Sequence, residues 1–300
     1  MKMSDKINDI KRKIANDILT LMKTENLSWM KPWLHPQPAQ NGESGHVYKG
    51  MNVFAVNMAM FHNSWTDPRF LTFNQMKKLG GSNKGQKSTA VIKFGTSKDK
   101  NNEDKRYSFA RLHFVWNVEQ ITGLNKDDLI PLQDLSKISA PERNAGIDTM
   151  VEQIGIPVRE AQAAFYRQQD DAVYMPPIST FVDTHEGASA SDNYYSTLLH
   201  ELIHATGPSF RIGRECYLKY HVNKKERAKE ELVAEIGSAL WRQKLGFDSP
   251  SNLINTASYV KSWIALLEED YNTIFEAATK ASQAIEHLEQ INTELSTKAA

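Results

Sequence analysis

His200-Glu201-Leu202-Ile203-His204 lies inside a run of helical periodicity from 193 to 206 and points to the architecture of the second half of this chain. Its pattern is HExxH. Positions i and i+4 project from one face of a helix, so His200 and His204 can ligate one zinc ion while Glu201 stands beside an open coordination position. The flanks agree with a helix here: Ser191 or Asp192 can cap its start, and Gly207-Pro208 supplies a stop.

Two histidines call for a third protein ligand. Downstream, Lys229-Glu230-Glu231-Leu232-Val233-Ala234-Glu235 lies inside a second helical pattern, 225 to 245. Glu231 and Glu235 stand at i and i+4, hence on one face. One carboxylate can bind the metal while the other accepts a ligand imidazole's N–H and fixes its tautomer. Their shared face alone leaves these roles interchangeable. The E-x-x-A-E spacing resembles the E-x-x-x-D of thermolysin-like metallopeptidases, and that resemblance makes Glu231 the ligand and Glu235 the support of a histidine. With zinc in place, Glu201 is the candidate base that takes a proton from bound water and passes it to a leaving amine. His221, Tyr217, Tyr220 and Tyr174 are candidate oxyanion donors, and nothing in the spacing selects one.

Outward from these helices, residues 144 to 154 read as a weak helix and Ala172 to Phe181 as a short strand and turn. Helical patterns follow at 256 to 269 and from Tyr271 towards Leu295. In the first half, Ile7, Ile10, Ile14, Ile18 and Leu21 predict an amphipathic helix over 5 to 23. Trp29 to Pro38 carries too much proline for a helix. Asn52 to Phe61 and Thr72 to Leu79 read as helices, Thr89 to Phe94 and Tyr107 to Trp116 as strands, and Gly95 to Arg106 as an exposed hairpin loop. Pro131 to Arg143 is the expected boundary. The expectation is an α+β chain of two domains, a small α+β one over 1–130 and a mainly helical one over 144–300, joined by 131–143.

Charge separates the same two parts. The 300 residues hold 36 Lys+Arg and 36 Asp+Glu, and zero net charge argues against a nucleic-acid partner. Counted by segment, residues 1 to 130 hold 20 cations against 12 acids, and residues 131 to 300 hold 16 against 24, so the neutrality cancels between halves. The densest basic stretch, Lys77 to Arg111, is interleaved with Phe94, Tyr107, Phe109, Phe114 and Trp116. Cations that track phosphates beside rings on which bases stack are what single-strand binding requires. Lys77, Lys78, Lys84, Lys87, Lys93, Arg106, Arg111 and Trp116 are the candidates. No apolar run approaches the ~18 residues of a membrane span. The lone Cys216 excludes an intrachain disulfide, and the charged start lacks an apolar signal core, so a reducing, cytoplasmic setting is expected.

Taken together the motifs are similar to those of the ArdC antirestriction proteins, which are related to the N-terminal region of TraC-type primases. In the first half the resemblance rests on Trp29, Pro32-Trp33, Tyr48 to Asn52, Thr72 to Gln75, Gly80-Gly81, Lys84 to Lys87 and Val115 to Gln120. In the second it rests on Asp170-Asp171, Tyr174 to Pro176, Tyr194 to Thr197, His200 to Gly207, Arg211 and Glu230 to Gly237. The resemblance implies an N-terminal single-stranded-DNA-binding domain, a C-terminal zincin-like metallopeptidase domain, and protection of conjugatively transferred plasmid DNA from host restriction, with delivery to the recipient cell as one setting. Two other readings stand beside it. One is a zinc peptidase whose basic half recognises an acidic protein substrate; the other is a binding protein braced by its metal.

Overall fold

In the computed structural model, described over residues 3–25, 37–98, 106–132, 140–183, 188–247 and 256–299, the chain forms two compact units. One comprises Met1–Asp17 with Ala39–Leu132, and the other Ile18–Pro38 with Gln133–Ala300. Helix α1, Met3–Glu25, carries the isoleucine stripe, of which Ile14 and Ile18 are buried together with Leu21 and Met22. The Trp29 to Pro36 part of the proline-rich stretch lies outside the described residues, as does 133–139 within the expected linker.

The first unit is a four-stranded sheet in the order β1-β2-β4-β3, built from β1 (Gln40–Asn41), β2 (Arg69–Thr72), β3 (Thr89–Lys98) and β4 (Arg106–Asn117). β1 pairs parallel to β2, while β2 and β3 flank β4 antiparallel. Helix α2, Met51–Asn63, covers one face: its Val56 and Met60 pack with Phe70, Val91 and Val115. Asn52 fastens it by exchanging two 2.8 Å hydrogen bonds with the backbone of Ile92. On the other face Leu71 packs with Met76 of α3 (Phe73–Lys78), Val118, Ile121 and Leu129. β3 and β4 run further into the expected hairpin loop than composition suggests, the ladder continuing to the Lys98↔Arg106 pair. Ladder bonds are made by backbone, so polar side chains do not end them. Residues 99–105 lie outside the described residues.

Two polar motifs close the ends of the central strands β2 and β4. Thr72 caps α3, accepting from the Gln75 N–H while the Gln75 side chain accepts from the Thr72 N–H. Asn117 and Gln120 repeat the device at the end of β4.

Beyond Ile18–Pro38, the second unit comprises α4 (Ala140–Ile154), followed by a three-stranded sheet, β5 (Val158–Glu160), β6 (Phe165–Arg167) and β7 (Ala172–Met175), in the order β5-β7-β6. The strands β5 and β6 are not foreseen from the sequence. Each has three residues and a mostly exposed pattern, leaving no alternation to detect. Helices α5 (Ala190–Ala205), α6 (Glu215–Leu218), α7 (Lys224–Lys244), α8 (Thr256–Glu269) and α9 (Thr273–Ala299) follow. α5 packs on β6 and β7 and on α7, which also packs on α8 and α9. Among the described residues no helix is long and apolar enough to cross a membrane.

Candidate metal centre and basic surface

Helix α5 starts earlier than a cap at Ser191 or Asp192 would make it. Ser189 is the cap: its side chain accepts the Asp192 N–H at 3.1 Å, and Asp192 accepts the Ser189 N–H in return. Asp192 therefore belongs to the capping pair as the partner three residues in, and Ser191 to the first turn. At the far end the chain leaves through Gly207, where an added Cβ would stand 2.3 Å from the Tyr217 ring. α7 lies close to α5 at Gly237, whose hypothetical Cβ meets Ile203 at 2.9 Å. That absence of a side chain lets the two helices approach until their polar faces meet.

They meet at three atoms. His200 Nε2 and His204 Nε2 are 3.1 Å apart, and Glu231 Oε2 lies 3.5 Å from the first and 3.8 Å from the second. Ligands about 2.0–2.1 Å from a tetrahedral ion are separated by roughly 3.4 Å, so the donor set fits a divalent metal in number, chemistry and spacing. These are the three residues among those described that bring such donors together.

Each imidazole turns its other nitrogen to a separate carboxylate. His200 Nδ1 faces Glu235 Oε2 at 3.5 Å, the relation expected for a tautomer-fixing acid. His204 Nδ1 lies 3.1 Å from Oε1 of Glu230, a residue absent from the candidates. Glu230 is fully buried and receives both Nε and Nη2 of Arg214, at 3.0 and 2.6 Å, along with the Cys216 thiol at 3.0 Å. Burial works to raise its pKa, but Arg214 and His204 hold it down to about 2. No signal in the sequence couples Arg214 to Glu230, because the pairing is made by the loop after Gly207.

The histidines carry the converse shift. Burial lowers the pKa of His204, yet Glu230 and Glu231 lift it to about 9, and Glu231 and Glu235 hold that of His200 well above the ordinary value. Glu231 is pulled far below the carboxylate range by the two imidazoles against the opposing effect of burial. Tyr220 donates its hydroxyl to Glu231 Oε1, which leaves Oε2 for the shared point. Of the other proposed oxyanion donors, Tyr174 on β7 donates to Asp170 and Tyr217 packs against Gly207.

Glu201 is held from a different quarter. Its Oε2 accepts the backbone N–H of Tyr166, on β6, at 2.9 Å. Tyr166 in turn donates to Asp171, which is gripped by both Nη atoms of Arg211 at 2.7 Å, and Arg211 returns to the Ala205 carbonyl at the end of α5. A closed circuit of hydrogen bonds thus joins the motif helix to the strand that orients its glutamate.

In the first unit the structure distributes the basic candidates over two faces of one sheet. Trp116 and Phe114 are two apart on β4 and share the face away from α2. Lys77 and Lys78, at the end of α3, and Lys84 and Lys87, in the loop before β3, are exposed near that face. Lys78 pairs with Glu43 at 2.7 Å. Lys93 and Arg111 are cross-strand partners in odd register with Phe114, so they belong to the face that α2 covers further along. The Arg106 backbone opens β4, and its side chain lies outside the described residues.

Comparison with known proteins gives one match in each half of the chain. Residues 8–122 match the N-terminal domain of anti-restriction factor ArdC, and residues 145–280 match a zincin-like metallopeptidase family. The chain is 31% identical to DNA primase TraC of Escherichia coli over 90% of its own length and 26% of that protein's, so it spans about a quarter of that relative. Among solved structures it is similar to the antirestriction ArdC protein from plasmid R388 in metal-free form. The TM-score is 0.75 at 29% identity, over 95% of this chain and 98% of that one. The Mn(II)-bound form of the same protein gives a TM-score of 0.73, again at 29% identity, over 94% and 97% of the two chains.

Proposed function

The chain belongs to the ArdC family, and from that premise we propose that it is an antirestriction protein that binds single-stranded DNA through its basic N-terminal domain and holds one divalent metal ion, zinc in the first instance, in its C-terminal domain. The observation that carries this reading is likeness along nearly the whole chain, both halves in order, to the R388 protein. We take the domains to exchange within 131–143, between the two family matches at 8–122 and 145–280, and the protein to act on incoming plasmid DNA in the cytoplasm. The +8 balance of residues 1 to 130 supports a phosphate-bearing partner.

At the metal centre His200, His204 and Glu231 would hold the ion, Mn(II) being the one the R388 protein is described with. A bound divalent ion supplies an acidified water and a polarised carbonyl. Glu201, its carboxylate aimed by the Tyr166 N–H, would accept the proton of that water and deliver it to a leaving group. Glu230 and Glu235 would keep both imidazoles presenting Nε2.

The test is a transfer assay in which unmodified plasmid DNA enters a restricting host, with wild-type protein beside Glu201→Ala. Protection that requires the first domain and survives Glu201→Ala places the antirestriction function in DNA binding. Loss of protection on that substitution, with strand binding intact, makes hydrolysis part of the function. A chain that gives no protection in any form overturns the proposal. The geometry around Glu201 also favours a second reading, hydrolysis of a protein substrate, which peptide cleavage abolished by Glu201→Ala would establish.

A further inference from the structure

The α2-free face of the first sheet has the make-up of a stacking surface. Phe73 and Phe114 are 46% and 48% exposed, among the largest exposed apolar side chains of the described residues. The Phe73 ring lies 6.3 Å from that of Trp116, and Phe114 stands two residues before Trp116 on the same strand face. Exposed rings gathered in one place mark an interaction surface. Lys77 places its ammonium 5.8 Å from the centre of the Phe73 ring.

The adjoining loop is fastened in place. The Trp116 indole N–H donates to the Gln86 carbonyl at 3.4 Å, and Gln120 Nε2 donates to the Lys87 carbonyl at 3.0 Å. Ser82 and Thr122 close its base with a pair of 2.9 Å backbone bonds. Trp116 and Gln120 therefore hold the Gln86-Lys87 end of the loop beside the rings. Neither lysine has an acidic partner among the described residues.

We propose that Phe73, Phe114 and Trp116 form the platform on which the bases of a single strand stack, with Lys77, Lys84 and Lys87 on its phosphates, and that Lys93 and Arg111, on the opposite face, take no part. The proposal rests on the reading that this domain binds single strands and says where. A platform of flat rings accepts bases only when they are unpaired, so it selects single strands over duplex and reads no particular sequence.

Fluorescence anisotropy of a labelled oligo-dT of about 20 nucleotides, titrated with the full chain in ~0.15 M salt where fields fade within ~8 Å, tests it. Phe73→Ala and Phe114→Ala alter exposed residues, and unchanged melting midpoints will certify their folding. Each weakens binding by roughly 5- to 150-fold, the range for losing one stacked base. Lys84→Glu with Lys87→Glu weakens binding and lowers the slope of log affinity against log salt by about 0.7 for each phosphate no longer neutralised. Lys93→Glu, on the opposite face of the sheet, leaves the affinity within about twofold of wild type, since fields fade within ~8 Å at this salt. If the wild type binds but the two phenylalanine variants match it, or Lys93→Glu weakens binding as much as the loop pair does, the platform is wrong and single-strand binding stands. If the wild type binds neither oligo-dT nor any other single strand, the underlying reading falls and the platform with it.

Discussion

The metal centre and the aromatic surface represent opposite ways of assembling a site. In the centre, the charged groups are buried and each answers another: two imidazoles, three glutamates and an arginine share a few ångströms between α5, α7 and the loop from α5 to α6. On the surface, rings and lysines face water and are fixed mainly by backbone hydrogen bonds. Changes in the centre therefore act through stability and metal retention together, whereas changes on the surface act through affinity and leave the fold alone.

The largest effect should come from Arg214. Arg214→Met strands Glu230 as a buried charge, and breaking a buried pair on one side costs about 3–5 kcal/mol, visible as a lowered urea midpoint. Gly207→Ala forces a Cβ into the Tyr217 ring and should cost roughly 1–3 kcal/mol by overpacking. If either variant unfolds like wild type, the centre is looser than its packing implies.

Metal retention comes next. Glu231→Ala should leave the chain without stoichiometric metal after gel filtration, by elemental analysis. Glu235→Gln and Glu230→Gln should each weaken binding by about 10- to 100-fold while retaining the stoichiometry. Equal losses for Glu231 and Glu235 would erase the distinction between ligand and support.

A gentler effect is in protons. The pKa of His204 is raised to about 9, so in metal-free protein its pairing with Glu230 and Glu231 stabilises the fold fully below its ordinary pKa of 6.5. That stability is lost as pH rises from 6.5 through about 9. A metal must displace the proton, so uptake at about pH 7 should release acid, measured by calorimetry in buffers of differing ionisation heat. Proton-neutral uptake would contradict the charged imidazole. The smallest change is on the surface, where Glu43→Gln frees Lys78 and should leave the melting midpoint within error, since an exposed ion pair contributes little.

What was legible in the sequence follows the same contrast. HExxH could be read because its geometry is local to a single helix turn, and Glu231 and Glu235 because i and i+4 share a face. Which of them meets the shared point depends on where α7 crosses α5, a fact set by Gly237 and Ile203 and invisible to spacing. Glu230 stayed hidden because its partners His204, Arg214 and Cys216 come from three separate elements. The basic residues were legible as composition, but alternation along β4 sends Arg111 away from Phe114 and Trp116, and the register of β3 against β4 sends Lys93 with it.

One consequence of the circuit through Tyr166, Asp171 and Arg211 reaches beyond the geometry of the site. The three atoms suited to a metal ride on α5 and α7, but the carboxylate of Glu201 takes its aim from β6. The donor atoms and the orientation of Glu201 thus depend on different parts of the polypeptide, and they can be inherited separately. A relative in which β6 drifts, or in which Asp171 or Arg211 is replaced, would keep all three donor atoms while the Glu201 carboxylate lost the backbone N–H that orients it.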